Sequence, residues 1–285
     1  MRKIIDCRVR VPYGKFLEAG FYADIPKRVK VADSKYNMHL PQSVFEGSME
    51  QLIQEMDELG IVKAIVPARN AFGIPNSEME QLLEDYPGRF ITFAQVSPLD
   101  GQKALDEIQR YVVEGKCTGV VVEPGYGPNN EKMAVNDERM YPIYEMCEKN
   151  DIPMMLGFGG MLHPSLKLFQ PVDIDQVALD FPDLRLLCAH GGWPYSQEMM
   201  WIALVRKNVW LMPDLYVYGT PGMQDYAMGA NTVCKEKIIW GSAYPIVSQK
   251  ESLEQYLNCG IKEEFLDNVL YKNALRFLKM SEEDL

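Results

Sequence analysis

Histidine is scarce in this chain of 285 residues, with only His39, His163 and His190. Positive charge is also short: 29 Lys and Arg stand against 40 Asp and Glu, a net charge of −11. That balance argues against a non-specific nucleic-acid surface or an anionic-membrane surface, since both need clustered positive side chains. No uninterrupted apolar stretch is long enough to span a bilayer. Residues 3–5 enter a strand-like run with no signal-peptide pattern ahead of them. The six cysteines (Cys7, Cys117, Cys147, Cys188, Cys234, Cys259) contain no Cys-x-x-Cys pair, so they read as reduced, mostly buried thiols. A cytoplasmic protein with no nucleic-acid and no membrane partner is the expectation.

What is present is apolar mass and a regular beat. Apolar residues make up 47% of the chain, enough for one large core, and the 17 methionines read as core filling. Strand-like runs fall at 3–9, 62–67, 90–96, 119–123, 153–156, 185–189, 209–213 and 237–240. Helical patterns alternate with them at 48–59, 77–85, 101–114, 138–150, 174–180, 196–205 and 222–230. Several strand runs lack polar alternation, as expected when both faces are covered. Eight strands, each followed by a helix, predict an α/β fold of the closed (β/α)8 TIM-barrel type over residues 1–285 as a single domain. A tail at 261–280 continues as an extra C-terminal helix. Ser48 and Asp100 are expected helix N-caps, and Gly60 a C-cap. Residues 11–46 form a long excursion after the first strand, of the kind that borders an active site.

In such a barrel the C-terminal strand ends supply the chemistry. In order they present Arg8 and Arg10, Arg69 and Asn70, Gln95, Glu123, Gly157, His190, Asp214 with Tyr216, and Ala243 with Tyr244. Five further marks run from first strand to last helix: Ile5-Asp6, Asp180-Phe181-Pro182-Asp183-Leu184-Arg185, Cys188-Ala189-His190-Gly191-Gly192, Trp240-Gly241-Ser242-Ala243-Tyr244-Pro245 and Asn273-Ala274-Leu275-Arg276-Phe277-Leu278. On these marks the chain resembles the amidohydrolase-2 branch of the amidohydrolase superfamily, which includes aromatic-acid decarboxylases and lactone hydrolases. The resemblance implies a TIM barrel, a homodimer and, in typical members, a metal held by two strand-one histidines, a strand-five histidine and a strand-eight aspartate. At those positions stand Arg8, Arg10, Gly157 and Ala243. A guanidinium has donors but no acceptor lone pair and cannot replace imidazole as a ligand. No metal and no other cofactor is therefore expected. His190 is similar to a catalytic acid/base of decarboxylase-like members.

Each candidate has a functional and a structural reading. Period-two alternation puts Asp6, Arg8 and Arg10 on one side, either as an internal ion-pair network with Asp6 or Glu123 or as a clamp for a substrate carboxylate or phosphate. Arg69 either extends the clamp or lies on a loop surface. His190 is a proton-transfer group or a core histidine holding the glycine turn. Glu123 is a general base or a counterion to the arginines. Asp214, Tyr216 and Tyr244 either hydrogen-bond a polar substrate or pack at the rim. Cys7 sits beside two cations, which favours a thiolate, yet alternation aims it away from them and makes it a packing residue. Gly157 opens space where a ligand side chain stands in relatives, and the Gly157-Phe158-Gly159-Gly160 turn does not satisfy a dinucleotide fingerprint.

The leading expectation is a metal-independent hydrolase of a small anionic substrate, a carboxylated lactone, ester or amide, with His190 and Glu123 catalytic and the arginines binding. The alternatives are a metal-free lyase (decarboxylase or dehydratase) using His190 for proton transfer, and a non-catalytic barrel that binds an anionic metabolite.

Overall fold

A computed structural model describes residues 2–19, 21–27, 29–30, 39–69, 73–124, 133–161 and 165–285. Asn70, His163, the 125–127 turn and part of the 11–46 excursion lie outside the described residues. Seven parallel strands pair in consecutive order: β1 (Ile4–Asp6), β2 (Ile61–Pro67), β3 (Phe90–Gln95), β4 (Gly119–Val122), β5 (Met154–Gly157), β6 (Leu186–Ala189) and β7 (Val209–Met212). Helices follow the strands in the alternation that the sequence predicts, among them Met49–Leu59, Asn76–Asp85, Tyr141–Lys149, Pro171–Asp180, Ser196–Val205 and Met223–Asn231. This is the α/β barrel architecture.

The expected eighth strand at 237–240 is present only as three backbone hydrogen bonds to its neighbours. The Leu211 amide donates to Lys237 O and the Ile239 amide to Leu211 O, both at 2.9 Å, while the Cys7 amide reaches Trp240 O at 3.2 Å. The ring thus closes between β7 and β1, but a regular ladder does not form there. The physical reason is that the Trp240 amide donates to Val269 O at 2.9 Å, so a neighbouring helical turn takes a group the ladder needs.

Strand alternation sorts the core into two layers. Ile5, Ile65, Ile91, Phe93, Val121, Met155, Leu187 and Ile239 share one cluster inside the barrel. Their neighbours Ile4, Ala64, Val66, Val120, Val122, Met154, Leu186 and Ile238 join the larger cluster under the helices. Both faces are covered, which is why the strands read as unbroken apolar runs. The tail packs Tyr271, Ala274, Leu275, Phe277 and Leu278 onto the inner cluster. It is one helical path with a wide turn, Glu263–Asp267, Asn268–Lys272 and Asn273–Leu278.

Local signals behave as chemistry dictates. Ser48 Oγ accepts the Gln51 amide at the start of its helix, and Gly60 ends that helix in the left-handed region at φ 77°. Asp100 is not the cap expected of it. Ser97 caps the short turn Pro98–Asp100, and Gly101 occupies the position before the next helix. Among the described residues, no helix is long and apolar enough to cross a membrane.

The seam of the ring is held by Asp6, which is fully buried. Its carboxylate accepts from the Ser242 amide (2.8 Å), Ser242 Oγ (2.6 Å), Gln249 Nε2 (2.8 Å) and the Arg8 amide (3.2 Å). Burial raises its pKa against the lowering effect of these bonds. Asp6→Ala removes the acceptor from all of these buried donors and is expected to cost at least about 3 kcal/mol, measured by urea unfolding.

Candidate active site

Regular pairing of β1 stops at Asp6. Beyond it the alternation predicted for residues 6–10 does not hold. Cys7 packs into the inner apolar cluster, and the next residue, Arg8, also reaches the group at the strand ends. Cys7 is a packing residue as expected, but through burial rather than by facing away. Burial, with a smaller push from the Asp6 charge, raises its thiol well above the ordinary value and leaves it unreactive.

Arg8 is the centre of the group and is almost wholly buried. Its Nη1 donates to Asp214 Oδ2 at 2.7 Å and lies 3.2 Å from Nε2 and 3.3 Å from Nδ1 of His190. Its Nη2 is 3.6 Å from Glu123 Oε1, and Arg69 Nη2 holds the other oxygen of Glu123 at 2.8 Å. His190 Nδ1 lies 3.0 Å from Asp214 Oδ2. Five expected residues, Arg8, Arg69, Glu123, His190 and Asp214, are thus brought into one contiguous network from β1, β2, β4, β6 and β7. Asp6 is not the counterion of these guanidiniums through any of its four bonds, which go to the seam and to the Arg8 backbone.

The backbone at these strand ends is strained. His190, Asp214 and Ala243 have φ of 68°, 44° and 62°, a region that side chains with a Cβ rarely adopt and that clusters at functional sites. The turn after His190 tolerates nothing larger than glycine. At Gly192, φ is 76° and a Cβ would come within 2.4 Å of Met199 Cγ.

The remaining candidates sit around this network. Arg10 is fully enclosed. Its Nη1 makes only long contacts to Ala243 O (3.3 Å) and Tyr244 O (3.4 Å), its Nε has no hydrogen-bond partner, and its guanidinium lies 4.9 Å from the Phe21 ring centroid. Tyr22 Oη donates to the Arg10 carbonyl at 2.5 Å. Tyr216 sets its ring edge-on to His190 at 5.4 Å and stacks on Trp193 at 5.1 Å, while its hydroxyl accepts the Met161 amide. Tyr244 meets Arg10 through its main-chain carbonyl, while its hydroxyl points elsewhere and pairs with Ser43 Oγ at 2.8 Å in the outer layer. Gln95 is tied to Asn76 through its backbone amide and carbonyl. The space that Gly157 was expected to open is filled by Glu123, whose Cγ lies 3.2 Å from where a Cβ would stand. Sequence reasoning missed Phe21, Tyr22 and Trp193. The first two belong to the long excursion, whose aromatic content was the available signal.

Charge explains the titration of the group. Burial alone would raise Glu123, but Arg69, then Arg8, Arg10 and His190, hold it below its ordinary value. Burial is likewise outweighed at Asp214 by His190, Arg8 and the Leu215 amide. His190 is lowered by burial and by Arg8, against the opposing pull of Asp214 and Glu123. Arg10 is pushed well below the usual arginine value by burial and by repulsion from Arg8 and Arg69. Among the described residues of the group, three guanidiniums stand against two carboxylates and an imidazole held toward its neutral form, one more cation than anions.

The residues at the family's metal-ligand positions do not fit a divalent cation. Two are guanidiniums, Gly157 and Ala243 bring no donor side chain, and Arg8 Nη1 lies against both ring nitrogens of His190. Among the described residues, no group of three or more His, Cys, Asp or Glu is arranged to hold a metal ion.

The family profile described as amidohydrolase matches residues 35–280. The chain belongs to the amidohydrolase family. Among solved structures, an uncharacterised TIM-barrel protein from Bordetella bronchiseptica shares 32% identity with a TM-score of 0.90, covering 97% of this chain and 98% of that one. A 2,6-dihydroxybenzoate decarboxylase from Rhizobium shares 17% identity with a TM-score of 0.68, covering 98% and 99%. A probable 2-pyrone-4,6-dicarboxylic acid hydrolase from Acinetobacter baumannii shares 13% with a TM-score of 0.64, covering 98% and 100%. These last two likenesses establish the fold alone. No curated protein matches the sequence.

Glu123→Ala leaves buried guanidiniums short of a counterion and is expected to cost about 3–5 kcal/mol of stability in denaturant unfolding. Because the folded-state value of Glu123 is lowered, its contribution is full above the ordinary value of about 4.3 and disappears as pH falls through the lowered one. The difference between the two proteins should therefore shrink in acid.

Proposed function

We propose that this amidohydrolase hydrolyses a small carboxylated lactone, ester or amide without a metal ion, in a reducing, cytosolic setting. The observation that carries the reading is the His190–Asp214 pair at 3.0 Å set against the Arg8 guanidinium. Asp214 accepts from Nδ1–H of His190, which makes Nε2 the basic nitrogen; Arg8 Nη1 lies 3.2 Å from it and moves to the incoming acyl oxygen before Nε2 takes a proton. A lowered pKa keeps that imidazole neutral at working pH, which suits a base better than an acid. His190 takes a proton from water, the water oxygen bonds to the acyl carbon, and the bond from that carbon to the leaving oxygen or nitrogen breaks. The same proton then passes from His190 to the leaving group. Glu123, held low by Arg69, Arg8 and Arg10, is a poor base and serves as a counterion to the first two, which it contacts.

The positive excess supports an anionic substrate. Arginine resists deprotonation, so the electrostatic pressure on Arg10 is relieved best by an incoming carboxylate. Arg8, beside His190, is placed to stabilise the oxyanion that forms at the acyl carbon, the role a metal plays in relatives that hold one. The two fold neighbours with activities in their names bracket the choice between hydrolysis and decarboxylation. The neutral state of His190 favours hydrolysis, because a lyase step that protonates carbon needs the imidazolium.

Two measurements test this. On a panel of carboxylated lactones and esters, His190→Asn is expected to lower kcat/KM by about 10²–10⁴-fold, with ring-opened or cleaved acid as product. Unchanged turnover would remove His190 from the mechanism, release of carbon dioxide would replace the hydrolase by a lyase, and binding without turnover would leave a non-catalytic barrel. In the wild type, kcat/KM is expected to fall as pH drops through a value below the ordinary histidine value of about 6.5, because the proton then occupies the base. A limb centred above that value would contradict a lowered His190.

A further inference from the structure

Two buried tyrosines stand behind the His190–Asp214 pair. Tyr226 lies in the helix Met223–Asn231 and Tyr256 in the helix Gln249–Asn258. Burial, with a further push from the Asp214 charge, raises both phenols well above their ordinary value, so each hydroxyl remains a donor at working pH. The Tyr226 hydroxyl donates to the Gly191 carbonyl at 3.2 Å, and the Tyr256 hydroxyl to the Asp214 carbonyl at 3.3 Å. Both contacts are long for a hydroxyl donor, and their effect comes from which carbonyls they hold.

Those carbonyls belong to the two strained turns of the site. His190, Gly191 and Gly192 have φ of 68°, 61° and 76°, and Asp214 has φ of 44°. Such a backbone persists only where its surroundings impose it. The φ of a residue sets where its Cβ points, so relaxation of either turn would swing a side chain off the 3.0 Å line between His190 Nδ1 and Asp214 Oδ2. The side-chain end of Asp214 is held by the Leu215 amide at 2.6 Å and by Arg8 at 2.7 Å. Tyr256 holds the main-chain end. The two turns also meet at Gly191, where a Cβ would come within 3.0 Å of both Pro213 Cα and the Tyr226 ring.

We propose that Tyr226 and Tyr256 are positioning residues, whose hydroxyls pin the two turns that aim His190 and Asp214 at each other. They act through the backbone they hold. The groups that face His190 are Arg8 from β1, Glu123 after β4, the uncharged Gly160 after β5, Asp214 after β7 and the edge of the Tyr216 ring. Asp214 pulls the imidazole pKa up, so loosening its contact leaves burial and Arg8 to lower it further. The catalytic consequence rests on the hydrolase reading, whereas the geometry of the pair does not.

The test reads the imidazole directly, by nitrogen NMR of the intact protein labelled at histidine, with the His190 signals assigned through His190→Asn. Tyr226→Phe and Tyr256→Phe each remove one hydroxyl and keep the ring. Each is expected to lower the His190 protonation constant about threefold or more and to move its two nitrogen shifts toward a mixture of tautomers. The control is Tyr144→Phe, which removes a buried hydroxyl that donates to Val135 O at 2.7 Å outside the group. It should leave the His190 signals in place. Unmoved signals in a folded variant would strike that tyrosine from the assignment, and an equal shift in Tyr144→Phe would overturn it as general loosening. The two variants alter different helices, so one stays readable if the other unfolds. On a hydrolysed substrate, each is expected to lower kcat about tenfold at unchanged KM. Unchanged kcat in a variant whose His190 signals move would sink the hydrolase role of the pair and leave the positioning intact.

Discussion

A guanidinium buried at the mouth of a barrel has to be neutralised, and the group at the strand ends is arranged around that requirement. Arg8 is 3% exposed and touches Asp214, Glu123 and His190. Those residues come from three other strands. One cation therefore ties together parts of the chain that are far apart in sequence, and removing a counterion leaves charge stranded in low dielectric. Asp6 does the complementary work one step below. It holds the seam where the eighth strand is irregular, so the network above it has a fixed floor.

The same arrangement sets the ionisation of the group. Positive side chains keep the carboxylates ionised, while burial and Arg8 keep His190 neutral. The backbone is bent into the left-handed region at His190, Asp214 and Ala243, a conformation that persists only where surrounding contacts impose it. Arg10 remains poorly satisfied. Among the described residues, charge excess, backbone strain and an under-coordinated guanidinium fall in one place.

Much of this was legible beforehand because it depends on local chemistry. Period-two strands buried on both faces, Ser48 and Gly60 as caps, and the alternation of elements follow from side-chain sterics and hydrogen bonding. The replacement of imidazole by guanidinium at residues 8 and 10 needed no coordinates to interpret. The errors have a common cause. Alternation failed at Cys7 and Arg8 because regular pairing ends at Asp6, and Asp100 lost its cap role to Ser97. The eighth strand lost ladder bonds because Val269, distant in sequence, competes for the Trp240 amide.

By itself the sequence determined the barrel, the family, and the loss of donor groups at the usual ligand positions, since residue type settles which atoms can coordinate. Only the tertiary structure decided who pairs with whom. It placed Glu123 between Arg8 and Arg69, turned Asp214 toward His190, sent Tyr244 to Ser43, and filled the space beside Gly157 with Glu123. Those outcomes depend on distances between strand ends far apart in the chain. Coulomb interactions and hydrogen bonds are decided by such distances, which residue spacing along a chain does not encode.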